Sequence, residues 1–234
     1  MSDLNSAEPT QKDAVPSYYD EGEAPGSNIL FPVLIAGLVM LLAGALLGYF
    51  LGRAGTPAAD SADVGFARDM SVHHEQAVQM AALIYDRTED EAIRSLAFDI
   101  LTTQQGQIGI MSGWLDAWNQ AWTSAGPRME WMGMSVDGLM PGMATAEQMA
   151  ALRAASGVEA DILFLQLMIP HHRSGVDMAQ YAADHARREP VQLLAQNMAN
   201  AQELEIDYME ELLAAKGSAP MPEMPAEDGD GHDH

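Results

Sequence analysis

The chain has 234 residues, a formal net charge of −23, 17 methionines and no cysteine. Without a basic surface, a role in nucleic-acid binding is excluded. Without cysteine, disulfides, thiolate metal sites and cysteine nucleophiles are excluded as well. Any soft metal ligand in this chain must therefore be methionine.

The N-terminal part of the chain predicts a membrane anchor. Residues 1–28 are polar and acidic, which is typical of disorder. Residues 29–52 predict one transmembrane helix, because residues 29–51 carry no charge and are long enough to cross a bilayer. A cleaved signal peptide is the rival interpretation, but it expects a basic start and an apolar run of only about 7–15 residues. We favour a retained single-pass anchor.

Three glycines repeat every fourth residue in this helix, at Gly44, Gly48 and Gly52. Such spacing lets two membrane helices approach closely, so it is compatible with a homodimer. Ordinary membrane-helix composition explains the glycines equally simply. The orientation is weakly marked, because the few Lys and Arg residues near the helix lean against an external C-terminal domain.

A linker at residues 53–62 leads into a predicted helical region at 63–216. Its helices are expected at about 63–87, 90–121, 145–155, 158–188 and 190–215. Thr145 and Gln148 form a capping-box pattern for the short helix, and Pro190 suits a first helical turn. Residues 217–234 have the composition of a disordered tail. Met221, Met224, His232 and His234 in this tail predict either weak metal capture or only a solubilising role.

One motif occurs twice in the helical region. Residues 70–81 read MSVHHEQAVQMA and residues 168–179 read MIPHHRSGVDMA, at an offset of 98. The offset extends further and predicts two helical hairpins, at about 63–121 and 158–216, joined by a methionine-rich linker at 122–157. Neither hairpin can bury its apolar stripe alone, so together they predict an all-α, ferritin-like four-helix bundle.

Each motif places two histidines on the core-facing side of its helix. The partner helices carry Gln104 and Gln107, or Gln202 and Glu205, on their own apolar faces. Buried polar groups of this kind either hydrogen-bond to one another or hold a ligand. The sequence leaves both interpretations open, and we favour a metal site. The candidate ligands are His73, His74, His171, His172, Met70, Met80, Met168, Met178 and Glu205.

The mixture of imidazole and thioether groups predicts copper, with Cu(I) favoured. Ligands without cysteine also suit an oxidising compartment, which is why we expect the domain outside the cytoplasm. Pro170 has Val72 as its counterpart, so the two halves should not be identical. Weaker candidate ligands lie on the partner helices and in the linker: Met111, Met209, Met132, Met134, Met140 and Met143.

The segments FARDMSVHHEQAVQMA, IGIMSGWL, MPGMATAEQMAALRAASGVEADILFLQLMIPHHRSGVDMA and AQELEIDYMEELL resemble the domain-of-unknown-function 305 family over about residues 61–215. The resemblance implies a ferritin-like bundle, often exported or membrane-anchored, with some copper-binding members in the bacterial periplasm. It points to the methionines and histidines of the two repeated motifs as site residues. The family often has a glutamate where Glu205 lies, but Gln107 replaces it in the first half.

The leading hypothesis is a bacterial membrane protein with an extracytoplasmic domain that buffers copper, confers copper tolerance or delivers copper. The alternative is a non-metal accessory subunit of a membrane complex, for example a respiratory one. A di-iron oxidase is a weaker third option, because the Glu-x-x-His pattern of such sites does not occur. No catalytic arrangement stands out, so we do not expect an enzyme.

Overall fold

The structure is a computed structural model and describes residues 30–220. The chain divides into two compact units, Met1–Ala54 and Gly55–His234. The predicted disordered N-terminus and the tail positions Met221, Met224, His232 and His234 lie outside the described residues.

The first unit contains one long helix, α1, at Leu30–Ala54. Its segment Phe31–Phe50 has a mean hydropathy of 2.4, and none of it is buried within the chain. Within residues 30–220, this is the one helix whose length and composition would allow it to cross a membrane. A Cβ atom placed on Gly44 or Gly48 would meet no other atom within 4 Å. The glycines therefore leave an open surface on α1, and the homodimer stays a prediction.

Up to residue 220, the second unit is built from five α-helices and one short turn of 3₁₀ helix. The helices are α2 (Ala62–Tyr85), α3 (Glu91–Ala117), α4 (Ala146–Ala154), α5 (Gly157–His185) and α6 (Glu189–Ala215), and the 3₁₀ turn is Glu130–Met132. Between residues 30 and 220 there is no β-strand, only an isolated bridge between Arg128 and Val136. The predicted all-α fold is confirmed.

Side chains define where several helices begin and end. Asp90 accepts hydrogen bonds from the backbone N–H groups of Ala92 and Ile93 and so caps α3. Thr145 and Gln148 form the predicted capping box of α4. The prediction for the end of α3 was four residues too long. The helix ends at Ala117 because Asn119 adopts a left-handed conformation with φ 52°, a common way to terminate a helix.

The long helices pair as two hairpins, α2 with α3 and α5 with α6, and α2 packs directly against α5. Two separate clusters of buried apolar residues result. The linker-side cluster includes Met70, Met111, Met178 and Met198 together with Met129 and Met140 of the linker. The distal cluster includes Met80, Met149, Met168 and Met209. The repeated histidines lie between these clusters, because along α2 and α5 they fall between the two methionines of each motif.

The two hairpins are related by an approximate twofold axis. Met70 shares a cluster with Met178, and the equivalent pair, Met168 and Met80, shares the other cluster. A twofold rotation exchanges each methionine with its counterpart 98 residues away and so exchanges the two clusters. The axis passes through the layer of histidines, where equivalent residues of the two repeats meet.

Candidate metal centre

Four histidines form a buried layer at the middle of the bundle. His73 and His74 on α2 and His172 on α5 have no exposed surface, and His171 is 1% exposed. The rings of His73 and His171 are stacked across the approximate twofold axis, with centroids 3.8 Å apart and planes at 32°. Equivalent residues of the two repeats therefore face each other directly.

The stacked rings make no hydrogen bonds. Among the described residues, neither ring nitrogen of His73 or His171 has a hydrogen-bond partner. The backbone of Pro141 lies near the His73 ring, and the backbone of His73 lies near the His171 ring, but neither contact has the geometry of a hydrogen bond. Four nitrogen atoms are therefore buried in the bundle without a partner in residues 30–220. A hydrogen-bonded structural network does not account for this pair.

The other two histidines are each held by one partner. The Nε2 atom of His74 lies 2.8 Å from Oε1 of Gln107, and Nε2 of His172 lies 2.7 Å from Oε2 of Glu205. These two pairs are equivalent in the repeats. In both histidines Nδ1 is buried and has no partner among the described residues. The structure thus places Glu205, a predicted ligand, as a hydrogen-bond partner of His172.

Burial keeps the imidazoles of His73, His74 and His171 neutral. It lowers the pKa of His73 to about 3, and the nearby imidazoles of His74 and His172 lower it further. Burial also lowers the pKa of His74 to about 3, against an opposing hydrogen bond to Gln107. The pKa of His171 is well below its usual value for the same reason, with His73 as the next cause. Neutral imidazoles keep the lone pairs that a metal ion requires.

The motif methionines complete the surroundings of the histidine layer. Met70, Met80, Met168 and Met178 are all fully buried, two in each apolar cluster. Within residues 30–220, no group of three or more His, Asp or Glu side chains is already arranged to hold a metal ion. The donor set nevertheless has the chemistry of a copper site.

The weaker candidate ligands fall into three groups. Met111 and Met209 are fully buried in the two apolar clusters, and Met140 is 1% exposed. Met132 and Met143 are partly buried against the linker-side cluster. Met134 is 41% exposed and does not join either cluster. The segment between α3 and α4 therefore adds buried thioether groups to the linker-side cluster only.

Two polar residues of α2 hold the linker in place. The side chain of Gln76 donates to the carbonyl of Ala144 at 2.8 Å and accepts from its N–H at 2.6 Å. Asp69 accepts from the N–H of Met129 and from the indole of Trp131, both at 2.8 Å. Burial raises the pKa of Asp69, against the lowering effect of these two hydrogen bonds.

The sequence did not identify Asp69 or Gln76 as parts of the centre, and it marked Met129 only as one of the clustered methionines of the linker, outside the list of candidate ligands. Each of these contacts joins α2 to the irregular linker across 60 or more residues, and contacts of this kind produce no periodic pattern in the sequence. Met129 is 2% exposed and belongs to the linker-side cluster. Gly142 has φ 73°, and a Cβ there would overlap the carbonyl of Pro170. The linker thus packs against α5 beside Pro170, and the first repeat has a valine at the equivalent position.

Comparison with known proteins places these features in a family. The model of the family "Domain of unknown function (DUF305)" matches residues 63–213. A DUF305 protein of Streptomyces coelicolor, described as secreted, has a crystal structure that is 48% identical in sequence, with a TM-score of 0.68, and covers 70% of this chain and 99% of its own. A DUF305 fragment from Deinococcus radiodurans is 31% identical, with a TM-score of 0.55, over 66% of this chain and 96% of its own.

The protein CopM in its Cu(I)-bound form is 25% identical, with a TM-score of 0.50, over 65% of this chain and 96% of its own. CopM has also been solved in Cu(II)-bound and silver-bound forms. No functionally curated protein matches the chain. The matched residues contain both helical hairpins, the linker and all four buried histidines, and on this basis the chain belongs to the DUF305 family.

Proposed function

We propose that this chain is a membrane-anchored protein whose helical domain lies outside the cytoplasm and binds copper, as Cu(I), for buffering, tolerance or delivery. One observation carries the proposal. His73 and His171 bury four ring nitrogens that have no hydrogen-bond partner among the described residues. Such groups destabilise a fold by about 1–3 kcal/mol each, so a site that retains them calls for a ligand.

The surroundings of these nitrogens favour a soft cation. Buried methionines lie on both sides of the histidine layer, and the imidazoles are neutral because burial lowers their pKa values. Thioether and imidazole groups together prefer Cu(I). Structures of CopM with Cu(I), Cu(II) and silver support the same chemistry in a relative of this chain.

Copper binding by both central histidines requires a local rearrangement. In the observed arrangement the lone pairs of His73 and His171 lie in two ring planes that are inclined at 32° to each other, with the ring centroids 3.8 Å apart. A rotation of one ring about its side-chain bonds brings a nitrogen of each ring toward a shared ion. This rotation breaks no hydrogen bond formed by these two rings within residues 30–220.

A competition titration tests the proposal. The full-length protein, purified in detergent, is titrated with Cu(I) against a chelator of known affinity. We expect tight binding by the native chain and a loss of at least tenfold in affinity in the double variant His73→Leu/His171→Leu. The matched control is His185→Leu, since His185 lies on the same helix α5 but is exposed. Equal affinity in the double variant and the native chain would refute the proposed site.

The membrane topology is tested separately. Because the native chain has no cysteine, a thiol reagent can label only a cysteine that is introduced by substitution. Single cysteines replace the exposed Glu75 in the helical domain or Lys12 before the membrane helix. We expect a membrane-impermeant thiol reagent to label Glu75→Cys in intact cells and to label Lys12→Cys only after lysis. The opposite pattern would place the helical domain in the cytoplasm.

A further inference from the structure

The side chains that hydrogen-bond to His74 and to His172 differ between the two repeats. Glu205 and Gln107 occupy equivalent positions, and each contacts Nε2 of one histidine at hydrogen-bond distance. Both histidines have a second nitrogen, Nδ1, that is buried and has no partner among residues 30–220. The two pairs share their geometry and differ in one chemical group, a carboxylate in place of an amide.

This difference decides where the histidine proton lies. A carboxylate can only accept a hydrogen bond, so Nε2 of His172 must be the donor. In the neutral ring the proton is then on Nε2, and Nδ1 carries the free lone pair. A proton on Nδ1 instead would bury an unsatisfied donor and leave two acceptors, Nε2 and Oε2, facing each other at 2.7 Å.

Gln107 imposes no such choice. Its amide group presents an oxygen acceptor on one side and an NH₂ donor on the other, and a half-turn of the amide exchanges them. His74 can therefore keep its proton on Nε2 and donate to Oε1, or carry it on Nδ1 and accept from the amide. The first repeat tolerates both tautomers, whereas the second admits one.

We propose that Glu205 is a positioning residue that fixes the proton of His172 on Nε2 and reserves Nδ1 of that ring as a metal-binding nitrogen. A histidine ligand whose other nitrogen donates to a carboxylate is a recurrent arrangement in metal sites, because the carboxylate orients the ring and raises its basicity. The inference rests on the proposed copper site and deepens it. It gives Glu205 the role of supporting a ligand, His172. It also predicts that the half of the site on α5 and α6 binds copper more tightly than the half on α2 and α3.

The tautomers are measured in the metal-free protein. Full-length protein with nitrogen-15-labelled histidine, freed of metal by a chelator, is studied by NMR near neutral pH, where protonated and unprotonated ring nitrogens have well-separated shifts. We expect His172 to show a proton on Nε2 and none on Nδ1, and His74 to show a mixture. A proton on Nδ1 of His172, with or without one on Nε2, would overturn the inference. This outcome needs no variant, so it stands even where a substitution disturbs folding.

Two variants replace these groups without a large change of shape: Glu205→Gln replaces the carboxylate with an amide, and Gln107→Glu replaces the amide with a carboxylate. Glu205→Gln should give His172 a mixed tautomer signal and weaken Cu(I) binding by about 10–100-fold. Gln107→Glu should shift His74 fully to the Nε2-protonated form. An unchanged His172 tautomer in Glu205→Gln would refute the positioning role. If the native chain fails to bind copper while the tautomers follow this pattern, the proposed function fails and the effect of Glu205 on the His172 proton stands.

Discussion

At the scale of single residues, the stacked pair His73 and His171 is the most unusual feature of the chain. Histidines in a protein core are normally satisfied by hydrogen bonds. The equivalent residues His74 and His172 follow that rule at Nε2, but the stacked pair does not. The pair therefore lowers the stability of the metal-free fold, as residues kept for binding often do.

The double variant His73→Leu/His171→Leu should accordingly raise the free energy of unfolding of the metal-free protein by at least about 1–3 kcal/mol, the cost of one unsatisfied buried group, because it replaces such groups with apolar ones of similar size. Denaturant unfolding in the presence of a copper chelator measures the change. Glu75→Leu, at an exposed position of α2, should stay within about 0.5 kcal/mol of the native chain. A double variant less stable than the native chain would instead indicate a structural role for the pair.

At the scale of elements, the linker between α3 and α4 is a packed part of the centre. Asp69 on α2 binds the middle of this linker, at Met129 and Trp131, and Gln76 binds its C-terminal end, at Ala144. A Cβ atom on Gly65 would overlap the side chain of Trp131, so the linker lies directly against the backbone of α2. This packing holds Met129 and Met140 in the linker-side cluster.

Gln76→Ala removes both hydrogen bonds to Ala144 and should loosen residues 140–144 locally. We expect faster amide hydrogen exchange in this segment and a loss of about 1–3 kcal/mol of stability, since each hydrogen bond contributes about 0.5–1.5 kcal/mol. Mass spectrometry after exchange measures the local effect. Glu75→Ala, at the exposed neighbouring position, is the control and should leave the exchange of the linker unchanged. Equal exchange in both variants would contradict the anchoring role of Gln76.

Elements differed in how far they could be predicted from sequence. The helical periodicity of the repeats predicts α2, α3, α5 and α6 and the inward direction of their histidines, because one helical face must be apolar. The linker sequence shows no helical periodicity from which its contacts could be predicted. One of its buried methionines, Met129, donates a backbone hydrogen bond to Asp69 across 60 residues, and such long-range pairings leave no local pattern. The stacking of His73 on His171 was equally hidden, since a shared face does not specify ring geometry.

At the scale of the whole molecule, the buried histidines couple folding to pH. Histidines in the unfolded chain titrate near pH 6.5, whereas burial lowers the pKa of His73 and His74 to about 3 and that of His171 well below 6.5. Between these values the unfolded state binds more protons than the folded state. Stability is therefore greatest above pH 6.5 and declines as the pH falls below it.

The metal-free protein should lose about 1.4 kcal/mol of unfolding free energy per pH unit for each fully protonated unfolded histidine of this group. Urea unfolding between pH 6.5 and about pH 5, above the range where most carboxylates titrate, measures the slope. The variant His73→Leu/His171→Leu removes two of the three groups and should show a clearly shallower slope. The same slope in both proteins would mean that the buried histidines do not control acid stability.

The approximate twofold axis has a consequence for the origin of this centre. Two identical copies of a single hairpin, meeting about such an axis, would bring together the same four imidazoles. In a homodimer of that kind every side chain occurs twice. An acidic residue beside one histidine therefore implies the same acidic residue beside the equivalent histidine of the other copy. Joining the copies in one polypeptide lifts this restriction, and here a lone carboxylate, Glu205, stands opposite a neutral amide. Covalent fusion is thus what permits an uneven charge around an otherwise symmetric pair of half-sites.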